Sequence, residues 1–172
     1  HSISKIVDLT NEYMLLTGQP LHAFDYDKFV KVGSTDTPSI RVRLARQDEK
    51  LTLLVGKEIT LVPTDIVICS GDTPVALAGA MGGESTKIDG STRRVILESA
   101  TFSLYNLRKT QMTHGIFSEA ITRFAKGQPA VNCEPVMLAV AQEIALTAGT
   151  PKVEFIARKY MRPLKENAVS LS

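Results

Sequence analysis

Tryptophan is missing from these 172 residues, cysteine occurs only twice, and charge of neither sign predominates. Twenty basic side chains face 18 acidic ones, for a formal net charge of +2. That balance argues against a dedicated high-affinity nucleic-acid binder while leaving room for a local basic edge. Cys69 and Cys133 lie in apolar or helical surroundings, without metal-type spacing and without a disulfide framework. They read as buried thiols of a reducing, cytoplasmic compartment. No apolar run approaches the ~20 residues of a membrane helix, and no signal-peptide pattern opens the chain, so no membrane partner is expected. Repeats and low-complexity tracts are lacking too. The sequence begins without an initiator Met and stops in mid-phrase at Lys165–Ser172. Together these features predict one domain over 1–172, excised from a longer protein and large enough to bury a core.

The most informative stretch is 8–25. Leu9, Tyr13 and Leu16 recur at helical spacing with Met14 beside them, which predicts a helix with one apolar face. Asp8 or Thr10 would cap its start, Gly18 suits a left-handed ending, and Pro20 forbids continuation. His22 then falls in an extended segment before Phe24. It is either a hydrogen-bonded core histidine or a cavity residue shared with Thr10 and Asn11.

Farther along, Asp25–Lys28 reads as a turn and 33–38 as a polar loop. Residues 40–46 alternate apolar and basic, predicting a half-exposed strand that gathers Arg41, Arg43 and Arg46. Those arginines are either a solvated strand face or a polyanion contact. Short β segments are predicted at 51–55, 58–62, 66–70, 75–79 and 94–100. Helices follow at 105–112, 118–126 and 135–147, and a strand at 152–158. A β-rich middle flanked by helices indicates an α+β fold rather than a βαβ array.

Three sites could carry chemistry. The run Gly79-Ala-Met-Gly-Gly83 lacks the Gly-Lys-Ser/Thr ending of a phosphate loop. It is a tight bend, or a place where a ligand approaches bare backbone at Gly79. Glu98 shares a strand face with Ile96 and Ala100, so a carboxylate stands among apolar neighbours. There it either forms a salt bridge, for example to one of the arginines, or accepts a hydrogen bond from a ligand hydroxyl. Ser118 is a helix cap, with Glu119 favourable in the first turn. No Ser-His-Asp constellation is present, which points to a positioned water rather than a covalent intermediate.

Thr10-Asn11 and Gly18-Gln-Pro-Leu-His-Ala-Phe-Asp25 resemble the bacterial phenylalanyl-tRNA synthetase β-subunit family, in its editing module. The similarity continues, in family order, through 76–83, 96–102, 107–110 and 118–124. The resemblance implies a layered α+β domain with sandwich-like sheets and flanking helices. It implies hydrolysis of Tyr-tRNA(Phe), the mischarged product, without a cofactor. The implied partners are the tRNA(Phe) acceptor end and the synthetase α subunit in a heterotetramer. Carried over by position, Thr10, Asn11, His22 and Ser118 would be catalytic, while Gly79, Glu98 and Ala120 would bind substrate. Ser118 stands where the family commonly has Thr, and 111–117 departs from the arginine-rich version. The alternative is a non-catalytic module that only supports the β subunit or positions tRNA.

Overall fold

A computed structural model describes residues 4–149 except Val55, together with Ala157. The chain runs through α1 (Lys5–Thr17), β1 (Leu21–Asp25), α2 (Tyr26–Gly33), β2 (Ile40–Leu44), β3 (Lys50–Thr52) and β4 (Glu58–Thr60). It continues with β5 (Ile66–Ser70), β6 (Thr73–Leu77), β7 (Met81–Gly82), β8 (Val95–Ser99), α3 (Leu104–His114), α4 (Glu119–Phe124) and α5 (Cys133–Ala148). The result is an α+β fold of antiparallel sheets with flanking helices. The strand expected at 152–158 lies outside the described residues, Ala157 apart. Among the described residues, no helix is long and apolar enough to cross a membrane.

The central sheet has the order β2-β5-β6-β7; β5 and β6 are covered on both faces, while edge strand β2 leaves Ile40, Val42 and Leu44 exposed. Period-2 alternation sends Val67, Cys69 and Leu77 to one side. There they meet Leu51 and Ile59 of the β3–β4 hairpin, Leu107 of α3, and Ile121 and Phe124 of α4. Ile68 and Ala76 face the other way, against Phe24 of β1, Phe29 of α2 and Ile96 of β8. Two-sided cover explains why β5 is apolar almost throughout.

The second sheet is a two-stranded ribbon, β1 with β8. Its register pairs Leu21 with Ser99, His22 with Glu98, Ala23 with Leu97, Phe24 with Ile96 and Asp25 with Val95. Gln19, wholly buried, holds one end of this ribbon. Its Nε2 donates to the carbonyls of Pro20 (3.0 Å) and Ala100 (2.8 Å), and Cys133 Sγ lies 3.8 Å from its Oε1 as donor. At the other end Asp25 accepts from Thr92 Oγ1 at 2.5 Å and from the Lys28 amide at 2.9 Å.

That second bond corrects the expected turn at 25–28. Asp25 is the N-cap of α2, which drives fully buried Phe29 against the sheet. The first helix also differs from expectation. It begins at Lys5 behind Ser4, whose hydroxyl accepts from the Val7 amide, so neither Asp8 nor Thr10 is its cap. Its buried line is Thr10 and Met14, whereas Leu16 is 72 % exposed. Gly18, at φ +79, ends the helix as expected and returns its N–H to the Met14 carbonyl.

These packing assignments separate two substitutions that look alike in sequence. Phe29→Ala is expected to cost about 3–5 kcal/mol in urea unfolding, the range for deleting a buried aromatic. Leu16→Ala, on a solvated helix face, is expected to stay within about 0.5 kcal/mol.

Candidate functional site

The ribbon and the central sheet leave a cleft between them. It encloses about 400 Å³, part of it open to solvent. His22 and Glu98 stand on the ribbon side, and Ile68, Ala76 and Leu77 on the sheet side. The turn 78–80, β7 and α4 close it with Gly79, Gly82, Ala120 and Phe124.

Strand pairing makes the polar part of this site. Because His22 and Glu98 are register partners, their side chains emerge side by side on one face. Phe24 and Ile96 follow on the same face, and the His22 ring meets Phe24 edge-on at 4.5 Å between centroids. Gly82 supplies the bare backbone that the imidazole needs. A Cβ there would lie 2.5 Å from His22 Cε1 and 2.6 Å from Nε2. Gly79, at φ +67, turns the chain between β6 and β7, with the Ala80 N–H returning to the Leu77 carbonyl at 3.0 Å. A side chain at Gly79 would collide with Leu107 and Phe124, so this glycine serves both the bend and the cavity wall.

Electrostatically, burial shifts both His22 and Glu98 toward their neutral forms. Each keeps some contact with solvent through the mouth, but protein atoms crowd them on the remaining sides. Desolvation lowers the His22 pKa to about 4 and raises that of Glu98 to about 7. Neither side chain has a hydrogen-bond or ion-pair partner among the described residues. The salt bridge left open for Glu98 is therefore not formed there. The arginines of β2 and its following turn are engaged elsewhere. Arg43 makes a two-pronged bond to Glu49 at 2.7 and 2.8 Å, while Arg41 and Arg46 reach Asp72 at 3.3 and 2.5 Å. The Arg43 hydrogen bond depresses the Glu49 pKa, and the Arg46 hydrogen bond depresses that of Asp72. These three arginines share two carboxylates, so most of their charge is balanced within the surface cluster.

Of the seven residues singled out in the sequence, His22, Gly79, Glu98 and Ala120 line this cavity. Thr10 is buried on α1, with its hydroxyl donated to the Val7 carbonyl, and Asn11 is exposed on the same helix; neither lines the cleft. Ser118 borders it indirectly. Its Oγ donates to the carbonyl of Ala80, a wall residue, at 2.8 Å and caps α4 by accepting from Ile121 N. The sequence reading missed Gly82 and Phe124. The Gly82-Gly83 doublet was the available signal, since two glycines in a short strand mark a close approach.

Residues 1–149 match the B3/4 domain family. The chain is 46 % identical over 147 residues to the phenylalanine–tRNA ligase beta subunit of Streptococcus pneumoniae serotype 4, covering 86 % of this chain and 18 % of that protein. The corresponding beta subunit of Thermosynechococcus vestitus is 41 % identical over 145 residues, covering 84 % and 17 %. That of Lactobacillus acidophilus is 41 % identical over 156 residues, covering 87 % and 19 %. The chain thus spans less than a fifth of the length of these relatives.

The carboxyl of Glu98 makes stability depend on pH with a definite sign. Its folded pKa, about 7, lies above the ordinary value of 4.5, so the folded state holds the proton more tightly. The associated stability is full below the ordinary value and is lost as pH rises through about 7. Glu98→Gln removes this titration and leaves that of His22 in place. Its stability relative to the parent should therefore climb between pH 4.5 and 7 and level off above, by at most about 3 kcal/mol. Urea unfolding at pH 5, 6, 7 and 8 measures it; a difference independent of pH would show that Glu98 is not desolvated.

Proposed function

The chain belongs to the B3/4 domain family carried by phenylalanine–tRNA ligase beta subunits, and on that premise we propose that it is the hydrolytic proofreading site of such an enzyme. Its substrate is tRNA(Phe) bearing tyrosine in place of phenylalanine. The α subunit and the acceptor end of the tRNA are its partners in the full assembly. One observation carries the reading: a carboxyl and an imidazole, without hydrogen-bond partners among the described residues, sit side by side in a largely apolar cavity.

Such a pair is chemically suited to telling tyrosine from phenylalanine. A synthetic pocket built for phenylalanine rejects an added hydroxyl only weakly. A second pocket with an unsatisfied acceptor selects for that hydroxyl, because phenylalanine would leave the acceptor buried and unpaired. Glu98 accepts the phenol O–H through a carboxyl oxygen. With a pKa of about 4, His22 is neutral at physiological pH and offers one ring nitrogen as donor and one as acceptor. It orients the phenol or a water without adding positive charge. Gly79 and Ala120 keep the walls low enough for an aromatic ring. Ser118 holds the Ala80 carbonyl in place and is thereby occupied, which favours attack on the ester carbonyl by a positioned water. The products are free tyrosine and tRNA with its terminal hydroxyl restored.

Release of tyrosine and phenylalanine from their tRNA(Phe) esters by the full synthetase tests the assignment. Glu98→Ala should lower the preference for the tyrosyl ester roughly ten- to a hundredfold, the worth of one hydrogen bond to a charged or strongly polar group. Ala120→Trp should suppress hydrolysis of both esters by filling the cleft, with phenylalanine activation unchanged. His22→Ala should produce a smaller loss than Glu98→Ala. Full tyrosyl preference in Glu98→Ala would make the carboxyl a structural group, and failure of the parent synthetase to release tyrosine would make the domain a tRNA-positioning module.

A further inference from the structure

Helix α3 and the loop after it leave large apolar side chains in water. Tyr105 is 73 % exposed, Met112 75 % and Phe117 70 %. Tyr105 and Met112 are two turns apart on one side of α3, and exposed Lys109 lies between them on the same stripe. Such a run of apolar side chains around a cation indicates contact with another molecule.

Phe117 is the member that adjoins a residue tied to the cleft wall, Ser118. The loop that presents it is fixed on both sides. Gly115, at φ +63, ends α3, and Ile116 is buried in the core with its N–H on the Gln111 carbonyl. Ser118 is tied to Ala80, and Ala80 and Ala120 both line the cavity. The Cα of Phe117 is therefore one peptide, about 3.8 Å, from that of Ser118, whose hydroxyl holds the wall residue Ala80. An aromatic held rigidly yet left in solvent contributes little to this domain's own stability.

Its surroundings favour an anionic partner with flat rings. Arg108, Lys109 and Lys126 are exposed and have no acidic partner among the described residues; Arg108 Nε donates to the Ala125 carbonyl. Glu119, the acid beside Phe117 in sequence, is drawn toward Arg123 at 3.4 Å. Aromatic platforms interleaved with cations are how proteins hold single-stranded nucleic acid, because every base has a stacking face. We propose that Phe117, together with the Tyr105–Lys109–Met112 stripe of α3, guides the single-stranded 3′ end of the tRNA to the cavity, with the Phe117 ring stacking on the terminal base. This rests on the deacylation reading above for the identity of the RNA. Phe117 is then a positioning residue: it seats the terminal nucleotide so that the ester enters the cleft.

The test uses the full synthetase and tRNA(Phe) whose terminal adenosine is replaced by 2-aminopurine, a base whose fluorescence is quenched by stacking. A non-reactive phenylalanyl-adenylate analogue blocks the synthetic site. The parent enzyme should quench the probe. Phe117→Ala should abolish the quenching and weaken binding roughly five- to a hundredfold, the range for one base–aromatic stack. Phe117→Tyr and Phe117→Trp should retain both. In deacylation, Phe117→Ala should raise KM for the mischarged tRNA with kcat nearly unchanged. Absence of quenching in the parent, or equal quenching in Phe117→Ala, overturns the proposal. Loss of phenylalanine activation or subunit assembly in all three variants also overturns it, by showing that the ring packs against the rest of the enzyme. Phe117-dependent quenching in an enzyme that does not release tyrosine would retain the stacking role and refute the deacylation reading instead.

Discussion

The antiparallel pairing of β1 with β8 is the constraint on which the site depends. These strands lie on opposite sides of the whole central sheet in sequence, so their pairing closes a long loop at an entropic cost. The cost is offset by what the ribbon buries: Phe24 and Ile96 against the sheet on one face, Ala23 toward the helices on the other. Gln19 and Asp25 fasten its two ends with buried hydrogen bonds. Because side-chain direction alternates along a strand, register alone decides what faces the cleft. A slip of one residue between the strands would part His22 from Glu98 and turn one of them away from the cleft.

That geometry also sets the electrostatics. An exposed Glu–His pair would be charged on both sides and would form an ordinary ion pair near neutral pH. Here crowding by apolar atoms penalises each charge separately, moving the acid up and the base down. Over the interval in which both titrate they oppose one another, since ionising Glu98 and protonating His22 are both disfavoured in the folded state. Between about pH 4 and 7 the site is thereby kept polar and mostly uncharged. Such a site suits recognition of a phenolic hydroxyl better than of a charged group.

The surface divides into satisfied and unsatisfied parts. The arginines at 41, 43 and 46 meet Glu49 and Asp72, so this basic-looking strand is nearly balanced. The cations at 108, 109 and 126 have no acidic partner among the described residues, and α3 and the loop after it also carry exposed apolar side chains. Counting basic residues in the sequence favours the first group. Their partners, brought together by folding, favour the second as a contact surface.

The α+β class, the helix ending at Gly18 and the extended segment through His22 were all legible in the sequence. Local physics settles them: glycine tolerates positive φ, proline stops a helix, and apolar periodicity marks a buried face. The two residues of greatest chemical interest, His22 and Glu98, were legible as a histidine and an acid among apolar neighbours. Helix α2 was missed because Asp25 resembles a turn residue until its carboxylate is seen capping an amide. The buried side of α1 was also misjudged, since Leu16 and Met14 are equally apolar and only the neighbouring elements choose between them. Tertiary structure alone decided that Glu98 has no salt bridge among the described residues, that Gly82 makes room for an imidazole, and that Ser118 is engaged by Ala80. Each of these depends on atoms from distant segments arriving within a few ångströms of one another, a relation that no local pattern of residues encodes.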